Sequence, residues 1–128
     1  NGAKMFTRAC ALCHTHSGQG HAVGPDLTGL RNQPAATLLM HIVVPNHEVQ
    51  GAYTLYEVDT RDNQTFAGLL AADTPEQITL KLPLGLTKTM ARKNIKTLRA
   101  SPKSLMPDQL EKTMTKQELA DLLKFLKR

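Results

Sequence analysis

Apolar positions follow a helical period at both ends of this 128-residue chain and a strand period between them. Residues 3–14 carry one apolar stripe, and residues 119–126 carry another with the spacing i, i+3, i+4, i+7. The second stripe follows a capping box over residues 115–118, which indicates a helix start. Residues 35–43 lie between two prolines and predict a third helix, whereas the turn-rich residues 15–33 predict a loop.

The middle of the chain changes to a period of two. Residues 77–82 alternate between apolar and polar side chains, as in a half-buried strand. Residues 53–60 and 65–72 flank a four-residue turn and predict a hairpin. Shorter strands are expected at residues 87–91 and 95–99. The expected fold is therefore mainly α and forms one domain over residues 1–128, with a small antiparallel β insertion over residues 53–99.

Both cysteines of the chain lie in one short motif, Cys10-Ala11-Leu12-Cys13-His14. The pattern C-x-x-C-H is the signature of c-type haem attachment. Positions three apart share one face of a helix, so both thiols can add across vinyl groups of the same porphyrin. The imidazole of His14 then lies next to the iron. The motif predicts covalent haem c, with His14 as an iron ligand.

Two other uses of the cysteines are open. A thioredoxin-like redox pair requires a preceding strand in a βαβ context, which the pattern does not show. A zinc site could add His14 and either His16 or His21 to the two thiols. Structural zinc sites usually take a second ligand pair from further along the chain, and His41 and His47 are not spaced as such a pair. We therefore favour haem.

Two further residues are candidates for the same site. A ligating histidine usually donates its second ring N–H to a fixed acceptor, and Pro25, in a turn after His14, can present such a carbonyl. An ordinary turn proline is the alternative. Electron-transfer haems often take a methionine thioether as second ligand, and Met106 is favoured because it lies in a loop beside Pro107. We expect Met40 and His41 to be core or partly buried residues.

The charge of +5 is distributed unevenly. Residues 1–80 carry four basic and seven acidic side chains, whereas residues 81–128 carry twelve basic and four acidic ones. A basic half can attract an acidic partner, although a solvated face is the simpler interpretation. The lysines are scattered without aromatic neighbours, so nucleic acid is not expected. No apolar run approaches the roughly 18 residues of a membrane span, so none is expected.

These motifs resemble those of the class I cytochromes c. The matching stretches are CALCH at 10–14, GPDL at 24–27, SLMP at 104–107 and ELADLLKFL at 118–126. The resemblance implies that the first and last helices cross at an aromatic contact, here between Phe6 and Phe125. It also implies a hydrogen bond from His14 to the Pro25 carbonyl.

The middle resembles a subgroup, the Pirellula/Verrucomicrobium-type haem-binding domain. Met106 lies 92 residues after His14, and the turn Val44-Pro45-Asn46 precedes the predicted strands, as in that subgroup. Such domains often follow dehydrogenase-like domains in larger secreted proteins. We expect the apolar face of the inserted strands to cover one side of the haem pocket.

The resemblance implies a periplasmic or secreted electron carrier, which is not an enzyme, with His14 and Met106 as axial ligands. It would accept electrons from a fused dehydrogenase domain or a redox partner protein, which could have an acidic docking surface. The alternative is a gas sensor or a peroxidase-like enzyme with an open distal site. These two classes differ in whether Met106 is bound to the iron.

Overall fold

A computed structural model describes residues 1–46 and 53–128 of the chain. These residues form three α-helices and seven β-strands, joined in places by short 3-10 helices. The helices are α1 (Gly2–Ala9), α2 (Ala35–Val43) and α3 (Lys116–Leu126). The strands are β1 (Thr15–His16), β2 (Gln19–Gly20), β3 (Leu55–Thr60), β4 (Thr65–Asp73), β5 (Gln77–Lys81), β6 (Thr87–Ala91) and β7 (Ile95–Ala100).

The first and last helices pack against each other. The predicted capping box starts α3: the Thr115 hydroxyl accepts from the Glu118 N–H, and the Glu118 carboxylate accepts from the Thr115 N–H. The predicted aromatic contact is also present, since the rings of Phe6 and Phe125 lie 5.6 Å apart between centroids. Gly2 permits this close packing, because a Cβ there would overlap the backbone of α3.

One hydrophobic core joins the three helices and the C-x-x-C-H motif. Its buried members are Met5, Phe6 and Cys10 near the N-terminus, Leu38 and Ile42 from α2, and Leu122 and Leu126 from α3. Because the two ends of the chain share this core, the motif-bearing segment is held in place by the last helix as well as by its own.

Strands β1 and β2 pair with each other, and strands β3 to β7 form a five-stranded antiparallel sheet in the order β6-β5-β4-β3-β7. Its edge strands are joined only by residues Arg92–Asn94, a link that reaches about 14 Å when extended. The edges of a flat five-stranded sheet are about 19 Å apart. The sheet must therefore curl, and register shifts in β3–β7 and β4–β5 bend it in the way bulges do.

Curling gives the sheet a core of its own. The buried side chains inside it are Val58, Ile78, Leu80 and Met90. This second core is why the expectation of a mainly α fold is wrong: the β region is a sheet that buries its own apolar face, beside three helices of 8, 9 and 11 residues. The fold combines α and β structure in comparable amounts.

Most element predictions are confirmed within a residue or two. The hairpin appears as β3 and β4, and α2 has the predicted bounds. The predicted helix over residues 3–14 is too long, because the Phe6 carbonyl accepts from both Cys10 and Ala11 and regular α-helix ends at Ala9. The loop predicted at residues 15–33 contains the small β1–β2 hairpin.

Candidate haem-binding site

The C-x-x-C-H motif forms a compact turn directly after α1. The carbonyl of Cys10 accepts from the N–H groups of Cys13 at 3.1 Å and His14 at 2.9 Å. Burial, and to a smaller extent the nearby Cys13, raise the pKa of the Cys10 thiol to about 11, and burial also raises the pKa of Cys13. Both groups are therefore S–H at neutral pH, and an S–H is what adds across a vinyl C=C bond.

The orientation of His14 is fixed by one hydrogen bond. Its Nδ1 lies 2.7 Å from the carbonyl oxygen of Pro25, which can only accept, so Nδ1 carries the proton. The lone pair of the neutral ring is then on Nε2, the atom left for a metal. Burial lowers the pKa of His14, although the bond to Pro25 acts in the opposite direction, and a lowered pKa favours the neutral form that binds metals.

The lack of a side chain at Gly24 leaves room for the His14 ring. A Cβ at position 24 would lie 2.8 Å from Cε1 of His14 and 3.1 Å from its Nδ1. Any larger residue would push the ring away from the Pro25 carbonyl. The sequence indicated Pro25 but gave no reason for the glycine beside it.

The loop that carries Pro25 is held by side chains that the sequence analysis missed. The Asp26 carboxylate accepts from the Thr28 N–H at 3.0 Å and from the Thr28 hydroxyl at 2.7 Å. The Thr28 hydroxyl oxygen accepts from the Ser17 N–H at 2.8 Å. The bonds from Thr28 lower the pKa of Asp26. The D-x-T spacing is typical of an Asx-turn and was the available signal.

All five predicted site residues line one cavity of about 390 Å³: Cys10, Cys13, His14, Pro25 and Met106. Most of its wall is aliphatic and comes from Leu27, Leu30, Leu38, Ile42, Leu69, Leu105, Leu110 and Leu126. Two thiols, an imidazole and a thioether on an aliphatic wall suit a flat apolar macrocycle with a central iron. The residues present therefore fit haem c.

Met106 reaches this cavity from the loop before the last 3-10 helix. It is half-buried, and its N–H donates to the Ser104 hydroxyl at 3.1 Å. Ser104 and Pro107 line the cavity as well. The structure therefore brings His14 and Met106, which are distant in sequence, to the same space.

The polar part of the cavity contains residues that sequence reasoning did not assign to it. Gln33, His41 and Tyr53 line it. Met40 and His41 are both exposed, Met40 by 46%, so the expectation that they would be core or partly buried is wrong. Leu38 and Ile42 are the buried residues of α2, and the helical turn leaves their neighbours outside the core.

The sheet contributes to the cavity through Tyr53, just before β3, and Leu69 of β4. Its apolar face is buried within the curled sheet itself. The expectation that this apolar face would cover the haem pocket is therefore wrong, although the β region reaches the cavity at Tyr53 and Leu69.

The zinc alternative has no geometric support. Among residues 1–46 and 53–128, no three His, Cys, Asp or Glu side chains are grouped as a metal site. His47, considered for zinc, lies outside the described residues. His16 is buried against Phe125, with ring centroids 4.7 Å apart, and is part of the helix contact.

Comparison with known proteins agrees with this geometry. Residues 1–79 match the sequence model of the family described as Cytochrome c, which covers more than half of the chain. The chain belongs to the cytochrome c family and is a class I c-type cytochrome domain. It binds covalent haem c and transfers electrons through the haem iron. A search of the curated proteins finds no match.

The matched region includes the attachment motif and the Pro25 turn, and it ends before Met106 and α3. The case for Met106 therefore depends on its position in the cavity. None of the helices within the described ranges has the length and apolar character needed to cross a membrane.

Proposed function

We propose that this domain is a single-electron carrier whose haem iron is held between Nε2 of His14 and the thioether sulfur of Met106. One observation carries the proposal: the two side chains line the same cavity although 92 residues separate them. When bound, haem supplies the ferrous–ferric couple of its iron. The protein supplies the ligands, the dry pocket and the surface that a partner recognises.

Each residue has a defined part in this function. The thiols of Cys10 and Cys13 would hold the group covalently. His14, kept neutral and oriented by Pro25, is the proximal ligand. A neutral thioether from Met106 stabilises the ferrous state and raises the reduction potential. With both axial positions filled, we infer that the domain binds no gas or peroxide and is not an enzyme.

The absorption spectrum of the haem-loaded ferric protein tests the ligation. We expect a weak near-red band, which is typical of methionine bound to ferric haem. Met106→Ala should abolish the band and allow carbon monoxide to bind the ferrous iron. Met114→Ala is the matched control, because Met114 is also half-buried and packs against the same helical core but does not line the cavity. A wild-type protein without the band that binds carbon monoxide readily would favour the open-site alternative.

We further propose that the electron donor is an acidic redox protein or a dehydrogenase domain, in an exported compartment. Residues 77–107 contain seven basic side chains and no acidic one. Two of these, Arg92 and Arg99, are paired with carboxylates of β3 and β4. The others give this part of the chain a positive charge, which attracts an acidic partner. The exported setting is supported by the haem attachment, which in bacteria takes place outside the cytoplasm.

A small group of exposed leucines is the candidate surface for this donor. We define the leucine patch as Leu12, Leu84 and Leu86, which are 45%, 49% and 60% exposed. The Leu84 N–H donates to the Leu12 carbonyl at 2.7 Å, so the β5–β6 loop is attached to the haem motif. Leu84 has a left-handed φ of 66°, which is unfavourable for a leucine. Leu12 lies between the two haem cysteines in the sequence, and Leu84 and Leu86 lie in a loop of the basic segment. Exposed leucines in this position suit a transient redox interface.

A further inference from the structure

A single asparagine contacts both sides of the Met106 loop. The side-chain oxygen of Asn46, after α2, accepts from the Ser104 N–H at 2.6 Å. Its Nδ2 lies 3.5 Å from the Asp108 carboxylate and donates to it. Ser104 and Asp108 are each two residues from Met106, so one amide group spans the loop. We propose that Asn46 is a positioning residue that holds Met106 in place as iron ligand, an inference that rests on the proposed His14 and Met106 ligation.

The hydrogen bonds form a chain from Asn46 to the methionine. Asn46 fixes the main chain at Ser104, and the Ser104 hydroxyl accepts from the Met106 N–H at 3.1 Å. Pro45, next to Asn46, is buried and lines the cavity with Ile42 of α2. The Met106 loop is therefore hydrogen-bonded to the segment that follows α2, and both α2 and the loop contribute to the cavity wall.

The chemistry of this contact requires an amide. Ser104 offers an N–H and Asp108 offers a carboxylate, so the group between them must accept on one side and donate on the other. Alanine at position 46 can do neither. A carboxylate there keeps the acceptor for Ser104 but adds a second negative charge next to Asp108.

Loss of the contact should weaken the bond between Met106 and the iron. A loop that is ordered before ligation loses little conformational entropy when the sulfur binds, whereas a loose loop loses more. An external ligand that competes with Met106, such as imidazole, then binds more readily. A role confined to general stability would leave this competition unchanged.

Imidazole titration of the haem-loaded ferric protein measures the competition directly. For Asn46→Ala, we expect a weaker near-red band, a lower reduction potential and an imidazole association constant roughly fivefold above wild type. Asn46→Asp should show a similar change. Combining Asn46→Asp with Asp108→Asn reverses the donor and acceptor of the pair, and we expect this double variant to return towards wild type.

The control is Asn63→Ala. Asn63 is in the β3–β4 turn at a φ of 66°, where alanine is strained, so this variant should lower the melting temperature without changing the imidazole constant. If Asn46→Ala behaves like Asn63→Ala, or if the double variant is no better than Asn46→Asp, the inference is overturned. If the wild-type protein has no methionine band, the proposed ligation fails and the inference fails with it.

Discussion

The Phe6 ring of α1 lies 5.6 Å from the Phe125 ring of α3, and the ring of His16, two residues after His14, packs against Phe125 with centroids 4.7 Å apart. This contact joins the two ends of the chain. Because α1 leads directly into the attachment motif, the packing of α3 helps to set the position of the cysteines and His14. The stability of the site therefore depends on residues that touch no part of the cavity.

Gly2→Ala tests this helix contact. Alanine is the better helix former, so helix propensity alone predicts a gain in stability. A Cβ at Gly2 would overlap the Asp121 carbonyl and the Phe125 side chain, so we expect a loss of about 1–3 kcal/mol in the free energy of unfolding. Urea unfolding of the haem-loaded protein measures it. Unchanged or higher stability would contradict the close packing of α1 on α3.

Gly24→Ala tests how the His14 ring is positioned. The new Cβ would lie 2.8 Å from His14 Cε1, so we expect a displaced imidazole, a weakened bond to Pro25 and a changed reduction potential. Gly18→Ala is the control, because a Cβ there meets nothing within 4 Å and only backbone strain is added. Equal potentials in Gly24→Ala and wild type would show that the glycine is not required.

Asp59 should make the sheet sensitive to acid. Its carboxylate accepts hydrogen bonds from Arg99, Thr97 and Thr65, and these lower its pKa from 3.8 to about 2. The unfolded chain binds a proton at this group more readily than the folded protein does. The stabilisation is therefore complete above pH 3.8 and is lost as the pH falls towards 2.

Asp59→Asn removes this titration. The variant should be less stable than wild type at neutral pH, and the difference should narrow as the pH falls through this window. Melting temperatures measured at a series of pH values check it. Two curves that stay parallel would show that Asp59 does not contribute to the acid sensitivity.

The leucine patch is tested by changing its polarity. With oxidised haem-loaded protein and an excess of reduced cytochrome b5 as an acidic probe donor, we expect Leu84→Ser with Leu86→Ser to lower the electron-transfer rate roughly fivefold. The rate at which ferricyanide, a small ion that needs no apolar contact, oxidises the reduced protein should not change. Met40→Ser is the control, since Met40 is similarly exposed on α2. Equal losses in both variants, or no reaction with the probe protein, would contradict the assignment.

The parts that sequence predicted well are those specified by local spacing. Cys10, Cys13 and His14 lie within five consecutive residues, and the capping box spans four. The alternation around Ile78 and Leu80 indicates a strand without reference to the strands beside it. Pro25 could be predicted because a ligating histidine usually donates a hydrogen bond to a fixed acceptor. The bond from His14 to the Pro25 carbonyl is present.

The parts that sequence missed depend on distant residues meeting. Alternation cannot say that β6 and β7 are opposite edges joined by a three-residue link, which is what makes the sheet curl over its own core. The contact of Asn46 with Ser104 likewise joins positions 58 residues apart. The expectation of a mainly α fold was wrong because alternation does not show which strands pair or that the sheet curls.

The most direct measurement of the central claim is the NMR spectrum of the ferrous protein with its methionine methyl groups labelled with carbon-13. The chain has five methionines, and a methyl group on the axial sulfur is shifted far upfield by the porphyrin ring current. We predict one such signal, absent in Met106→Leu and present in Met114→Leu. Five signals at ordinary positions, or an upfield signal that persists in Met106→Leu, would contradict ligation of the iron by Met106.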